Sequence, residues 1–223
     1  MSSSIDSTFR KILFSYMELG EKKLFKTSLK EFKIDKHVHL YYSKRRNIPI
    51  CALPRLKLVL SSRSGFVSFC YNFYTFANAY NYNISINTAS IKSIAKFVIS
   101  HEVGHILDPE IYQTRSQYSQ ILSNIIDLLL KYDIDVTNAD FYKSNLPIDL
   151  EDAVLDLKKN LIDRESKAWD IAKGFVTFED AKEEYIFNKM KEYALATYNF
   201  GTIKNIVREH NLDVFFKYKR YFA

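Results

Sequence analysis

The chain has 223 residues, 47% of them apolar and 15% aromatic, which excludes intrinsic disorder and gives material for a substantial core. No stretch reaches the ~18 apolar residues of a membrane span, so no membrane partner is expected. The net charge is +6 with a pI near 9.1. Basic residues read as scattered apart from Lys44-Arg45-Arg46 and Lys217, Lys219 and Arg220, so a solvated basic face is favoured over a nucleic-acid or acidic-partner surface.

With only 5 glycines and 4 prolines, the composition points to a mostly helical chain. Cys51 and Cys70 make neither a disulfide framework nor a CxxC metal site, and read as thiols in a reducing compartment. The N-terminal residues contain no continuous apolar h-region, so a cytoplasmic location is expected.

In chain order, residues 7–30 read as one helix on the spacing of Ile12, Leu13, Tyr16, Leu19 and Leu24. Residues 37–42 look like a strand with His37 and His39 on one face; lacking a third ligand, these read as surface or packing residues. Residues 56–60 and 66–74 are rich in strand formers, with a turn-like Ser61–Gly65 between them, and predict a β-hairpin. The alternation over 82–87 predicts a further strand, giving a small mixed or antiparallel sheet packed on the next element.

That element is the segment 90–107, which contains His101-Glu102-Val103-Gly104-His105. Residues four apart share one face of a helix, about 6 Å apart along its axis, so two imidazoles can bind one Zn²⁺. Glu102 beside them is placed to take a proton from water, as a general base. Ile94, Val98, His101 and His105 continue one helical stripe, Ser90 is placed to cap its start, and Asp108-Pro109 ends it. Gly104 weakens the helix but leaves room beside the metal.

Beyond Pro109 the chain is expected to be helical over 111–132, a loop over 133–149, and helical again over 150–172, 178–200 and 202–218. A catalytic zinc needs a third protein ligand. No histidine follows at the spacing of an extended HExxHxxGxxH motif, which leaves the carboxylates Glu110, Asp127, Glu151, Glu165 and Asp170. Glu165 is favoured because it interrupts the stripe Leu150, Val154, Leu157, Leu161, Ala168, Ala172, where a buried charge needs a metal or a cation. The competing reading is a salt bridge from Glu165 to Arg164 or Lys158.

Two blocks resemble the ImmA/IrrE-type metallopeptidases, gluzincin-like domains of bacteria and their mobile elements. The first runs Ile84-Ser85-Ile86-Asn87 through Phe97-Val98-Ile99-Ser100 to the His101–His105 motif. The second is Glu165 with Ala168, Ile171 and Ala172, similar to an ExxAxx(F/I)A motif whose Glu is the third zinc ligand. The resemblance implies an α+β, mostly helical zincin-like domain over residues 1–223. Its helix-plus-sheet part would be 1–89, its zinc-binding helices 90–174 with an insertion at 110–150, and its helical C-terminal part 175–223. It implies a zinc endopeptidase with one Zn²⁺ per chain, held by His101, His105 and Glu165, and a protein or peptide substrate, in some relatives a transcriptional repressor. Tyr193 and His210 are candidate oxyanion donors, and Asp108 and Asp170 candidate partners that orient the histidines. The alternative reading is a regulatory zinc-binding module of the same fold that binds protein or nucleic acid without proteolysis.

Overall fold

The computed structural model describes residues 2–136, 141 and 145–199. His210, the helix expected over 202–218 and the basic residues Lys217, Lys219 and Arg220 lie outside them. Among the described residues the fold is α+β: seven helices and one three-stranded mixed sheet. No described helix is long and apolar enough to cross a membrane. The chain divides into two compact units, one of Met1–Ile111 with Glu165–Ala194 and one of Tyr112–Arg164 with Leu195–Ala223.

In the first unit, α1 (Ser2–Glu18) and α2 (Glu21–Glu31) replace the single helix expected over 7–30. Gly20 separates them in the left-handed region at φ 72°, a conformation glycine adopts without steric cost. The apolar spacing runs on through the break because both helices bury the same face, with Ile12, Tyr16, Leu24 and Phe25 in one core.

The sheet consists of β1 (His39–Ser43), β2 (Cys51–Leu53) and β3 (Leu58–Ser62) in the order β1-β3-β2. β1 runs parallel to β3, with Leu40 opposite Val59; β2 runs antiparallel, with Ala52 opposite the same residue. The expected hairpin is absent. Residues 66–74 belong to a helix, α3 (Arg63–Ala79), and Ser62 caps it by accepting a 3.0 Å hydrogen bond from the Gly65 N–H. Its buried residues Phe66, Val67, Cys70, Phe73, Tyr74 and Ala77 recur at helical spacing. Packing on that stripe overrides the strand preference of Phe, Val and Tyr.

Residues 82–87 do alternate in burial, but they pair with no strand. Ile84 and Ile86 turn onto the core, and the Ser85 carbonyl accepts from the Tyr74 and Ser90 hydroxyls instead. Asn87, rather than Ser90, caps α4 (Thr88–Leu107). Its side chain accepts from the Ser90 N–H at 2.9 Å, while the Ser90 hydroxyl accepts from the Asn87 N–H at 3.2 Å, a reciprocal capping box.

α4 is the centre of this unit. Every residue from Ser93 to Gly104 is buried, as in a helix covered on all sides. α1, α2, α3, β2 and β3 pack against it. α7 (Ala181–Asn199) is tied to it by an ion pair: Lys96 Nζ lies 2.8 Å from the Glu183 carboxylate, both side chains are buried, and Ser93 and the Glu179 N–H also donate to Glu183.

The second unit holds α5 (Ile111–Lys131) from Tyr112 onward and α6 (Ile148–Phe175) as far as Arg164. Its core is Ile125, Leu129, Leu150, Val154, Leu157 and Leu161. Both helices form where their periodicity placed them. Asn160 donates to the Thr114 carbonyl at 3.3 Å, and the Arg164 guanidinium lies over the Tyr118 ring.

Burial pushes the Glu183 carboxyl up, but Lys96 and the donated hydrogen bonds more than offset it and hold the group below its ordinary value. A carboxyl lowered in the folded state contributes stability that is present above its unfolded pKa and lost as pH falls. Glu183→Gln is therefore expected to flatten the fall of the thermal midpoint on acidification from about pH 5. At neutral pH it should cost about 3 kcal/mol, because Lys96 is left buried without its counter-charge. Thermal melts of both proteins across pH check this.

Candidate metal centre

Helical spacing on α4 carries His101 and His105 to one face, with ring centroids 4.6 Å apart. α6 brings Glu165 to them. His101 Nε2 lies 3.0 Å from one Glu165 carboxylate oxygen and His105 Nε2 lies 3.3 Å from the other. One ligand atom from each of the three falls within 4.8 Å of the others. Donor atoms gathered this closely could hold a metal ion.

The approach of α6 depends on Gly104. A Cβ there would collide with the carbonyl oxygen of Ala168, so the two helices meet backbone to backbone. Ala168 stands one turn beyond Glu165, and Trp169 follows it. The indole stacks on His101, centroids 4.5 Å apart and planes 21° from parallel, and its edge meets Phe187. The chemistry of this contact is legible in the sequence only in retrospect: Glu165 and Trp169 are four apart and so share one face of α6.

Glu102 lies on the same turn as the histidines, 8% exposed, and points to the sheet. Its carboxylate accepts a backbone hydrogen bond from Ala52 in β2, and Cys51 lies close enough for the carboxylate to raise its thiol further above the value that burial sets. Neither β2 contact was expected, because the sequence does not show which strand faces the motif.

The electrostatics of the four buried glutamates separate them. Burial pushes all four carboxyls up. For Glu165, the bonds from His101 and His105 outweigh burial and hold it well below the usual carboxylate range. Glu21 is lowered by Tyr42 and Arg63, and Glu183 by Lys96. Glu102 alone of the four stays raised: burial dominates, and the opposing pull of the two histidines is countered in part by the charge of Glu165. His101 loses proton affinity by burial and gains more from Glu165, for a net rise.

The other expected residues fall elsewhere. Glu110 and Asp108 both pair with Lys167, at 2.5 and 3.1 Å. Asp170 is exposed and pairs with Lys191 at 2.7 Å. Neither aspartate orients His101, whose Nδ1 is buried with no hydrogen-bond partner among the described residues. Asp127 and Glu151 are exposed residues of the second unit. Tyr193 belongs to an aromatic cluster with Phe69, Phe73 and Phe76. Arg164 faces Tyr118, so the salt-bridge reading of Glu165 gives way to a pairing with the histidines.

Compared with protein-family models, curated proteins and solved structures, the chain matches none of them.

Gly104→Ala tests the helix contact. The added methyl must push α6 away from α4, at about 1–3 kcal/mol for an overpacked core. Metal affinity is expected to fall along with the thermal midpoint, because ligand positions tolerate only about 0.2 Å. Zinc titration against a chromophoric chelator, beside a thermal melt, measures both.

Proposed function

We propose that this chain is a zinc-dependent endopeptidase of zincin-like fold, acting on a protein or peptide substrate, with a regulator as one candidate. The observation that carries the reading is the convergence of His101, His105 and Glu165 on one point, with Glu102 buried on the same helical turn. Two imidazoles and a carboxylate are a donor set suited to zinc, and three protein ligands leave a position open for chemistry. A metal held only for structure has no use for a buried carboxyl placed beside its ligands.

His101, His105 and Glu165 would hold the ion, which when bound would acidify water and polarise a carbonyl as a Lewis acid. The remaining work falls to the chain. Glu102 takes a proton from the attacking water and delivers it to the departing amine. The Ala52 N–H in β2 holds the carboxylate by a hydrogen bond. Trp169 covers one face of His101 and keeps water from it. The resemblance to ImmA/IrrE-type peptidases supports the same assignment of the three ligands and the base.

Purified protein is expected to retain about one zinc per chain after loading and desalting. Less than about a tenth of an equivalent rejects the site. Glu165→Ala should lose most of this binding, while Asp127→Ala and Glu151→Ala should stay within a few-fold of the parent.

Glu102→Gln separates the enzyme from a regulatory zinc module. The amide keeps the shape and lacks the basic oxygen, so zinc should remain bound while hydrolysis of unfolded casein falls at least about a hundredfold. Parent protein that binds zinc but never cleaves casein, with or without chelator, would point to the regulatory module instead.

A further inference from the structure

The basic residues, read from the sequence as largely scattered, are concentrated. Residues 21–46 contain nine Lys and Arg against three carboxylates, a net +6 that equals the net charge of the whole chain. The other 197 residues hold 23 basic and 23 acidic side chains and balance. One of the three carboxylates, Glu21, is already neutralised by Arg63 at 2.5 Å.

This segment folds around a surface groove of about 730 Å³, formed by the last turns of α2, the connection to β1 and the start of β1. Its size is that of a ligand-binding cleft. Lys26, Lys30, Lys36, His37 and His39 stand at its rim, all exposed, with Asp35 the single acid among its lining residues. No ion pair ties up Lys26, Lys30 or Lys36 among the described residues. The floor is apolar: Leu29, Ile34 and Val38 are half-buried and Phe32 is buried, all packed on the core of the first unit. His37 and His39, which the zinc site does not use, meet edge to face across the rim, centroids 4.6 Å apart.

We infer that this groove docks an acidic segment of a partner polypeptide, its carboxylates on the lysine and histidine rim and its apolar side chains on the Leu29–Phe32–Ile34 floor. Charge complementarity selects the sign of the partner, and the floor selects its class. Single-stranded nucleic acid is held by exposed aromatic faces on which bases stack, whereas the one phenylalanine here is buried. No arginine lines the groove to grip a phosphate with two bonds. Lysines are compact charges that accept a carboxylate in many poses, which suits a short acidic stretch of chain. If the proposed peptidase function holds, the groove recruits the substrate; the docking itself does not depend on it.

The test measures fluorescence anisotropy of a labelled peptide alternating Asp or Glu with Leu or Phe, bound to the full chain carrying Glu102→Gln so that the probe stays intact. Polyglutamate of equal charge and a labelled DNA duplex are run beside it. Combined Lys26→Glu, Lys30→Glu and Lys36→Glu should weaken peptide binding at least about tenfold, or 1.4 kcal/mol. Combined Lys11→Glu, Lys159→Glu and Lys182→Glu, exposed lysines away from the groove, make the same change in net charge and should shift it less than about threefold. Circular dichroism melts check folding, and the triple Lys→Gln version replaces the reversal if that variant does not fold. Ile34→Ser should weaken the peptide and leave polyglutamate unchanged.

Equal loss in the two triple variants would overturn the inference, as would polyglutamate binding as tightly as the peptide. Tighter binding of the duplex, lost in the groove variant, would assign the surface to nucleic acid instead. Peptide binding, with a parent chain of intact Glu102 that cleaves nothing, would keep the groove and reject the peptidase; cleavage by the parent chain without groove binding would do the reverse.

Discussion

The contact on which the site depends is the meeting of two backbones, α4 at Gly104 and α6 at Ala168. Any side chain at position 104 would hold the helices apart. With none, the turn of α6 before the contact delivers Glu165 to both imidazoles, and the residue after it lays the Trp169 indole on His101. Glycine in a helix costs about 1 kcal/mol relative to alanine. Here that cost is offset by a contact only glycine allows.

The first unit also shows how a small core carries ionisable groups. Glu21 sits between Tyr42 and Arg63, Glu183 between Lys96 and Ser93, and Glu165 between two histidines. Each is surrounded by groups that stabilise its charge, as burial demands. Glu102 is the exception, with one backbone donor and a like charge nearby.

Much of the fold was legible in the sequence, and the failures share a cause. The α5 and α6 helices follow from periodicity because each shows one face to a core. α3 was misread because Phe66, Val67, Phe73 and Tyr74 have strand preference, although their spacing is helical. Segment 82–87 alternates like a strand, yet a strand exists only where a neighbour offers its backbone, and the Ser85 carbonyl is taken by hydroxyls. In both cases local preference was weaker than the packing available to the segment. Gly20 was the visible signal for the break between α1 and α2.

By itself the sequence determined the local part of the site. The i, i+4 histidines with Glu102 between them need only a helix, and Glu165 declared itself by breaking an apolar stripe, because an unpaired buried charge is too costly to be accidental. Tertiary structure decided what no spacing encodes. It brought α6 to α4 across the 60 positions separating His105 from Glu165, and turned Asp108 and Asp170 to lysines instead of histidines. It set β2 against Glu102 and gathered the basic residues of 21–46 around one groove. The division is physical: periodicity reports which face of an element is buried, while the partner of that face is chosen by three-dimensional packing.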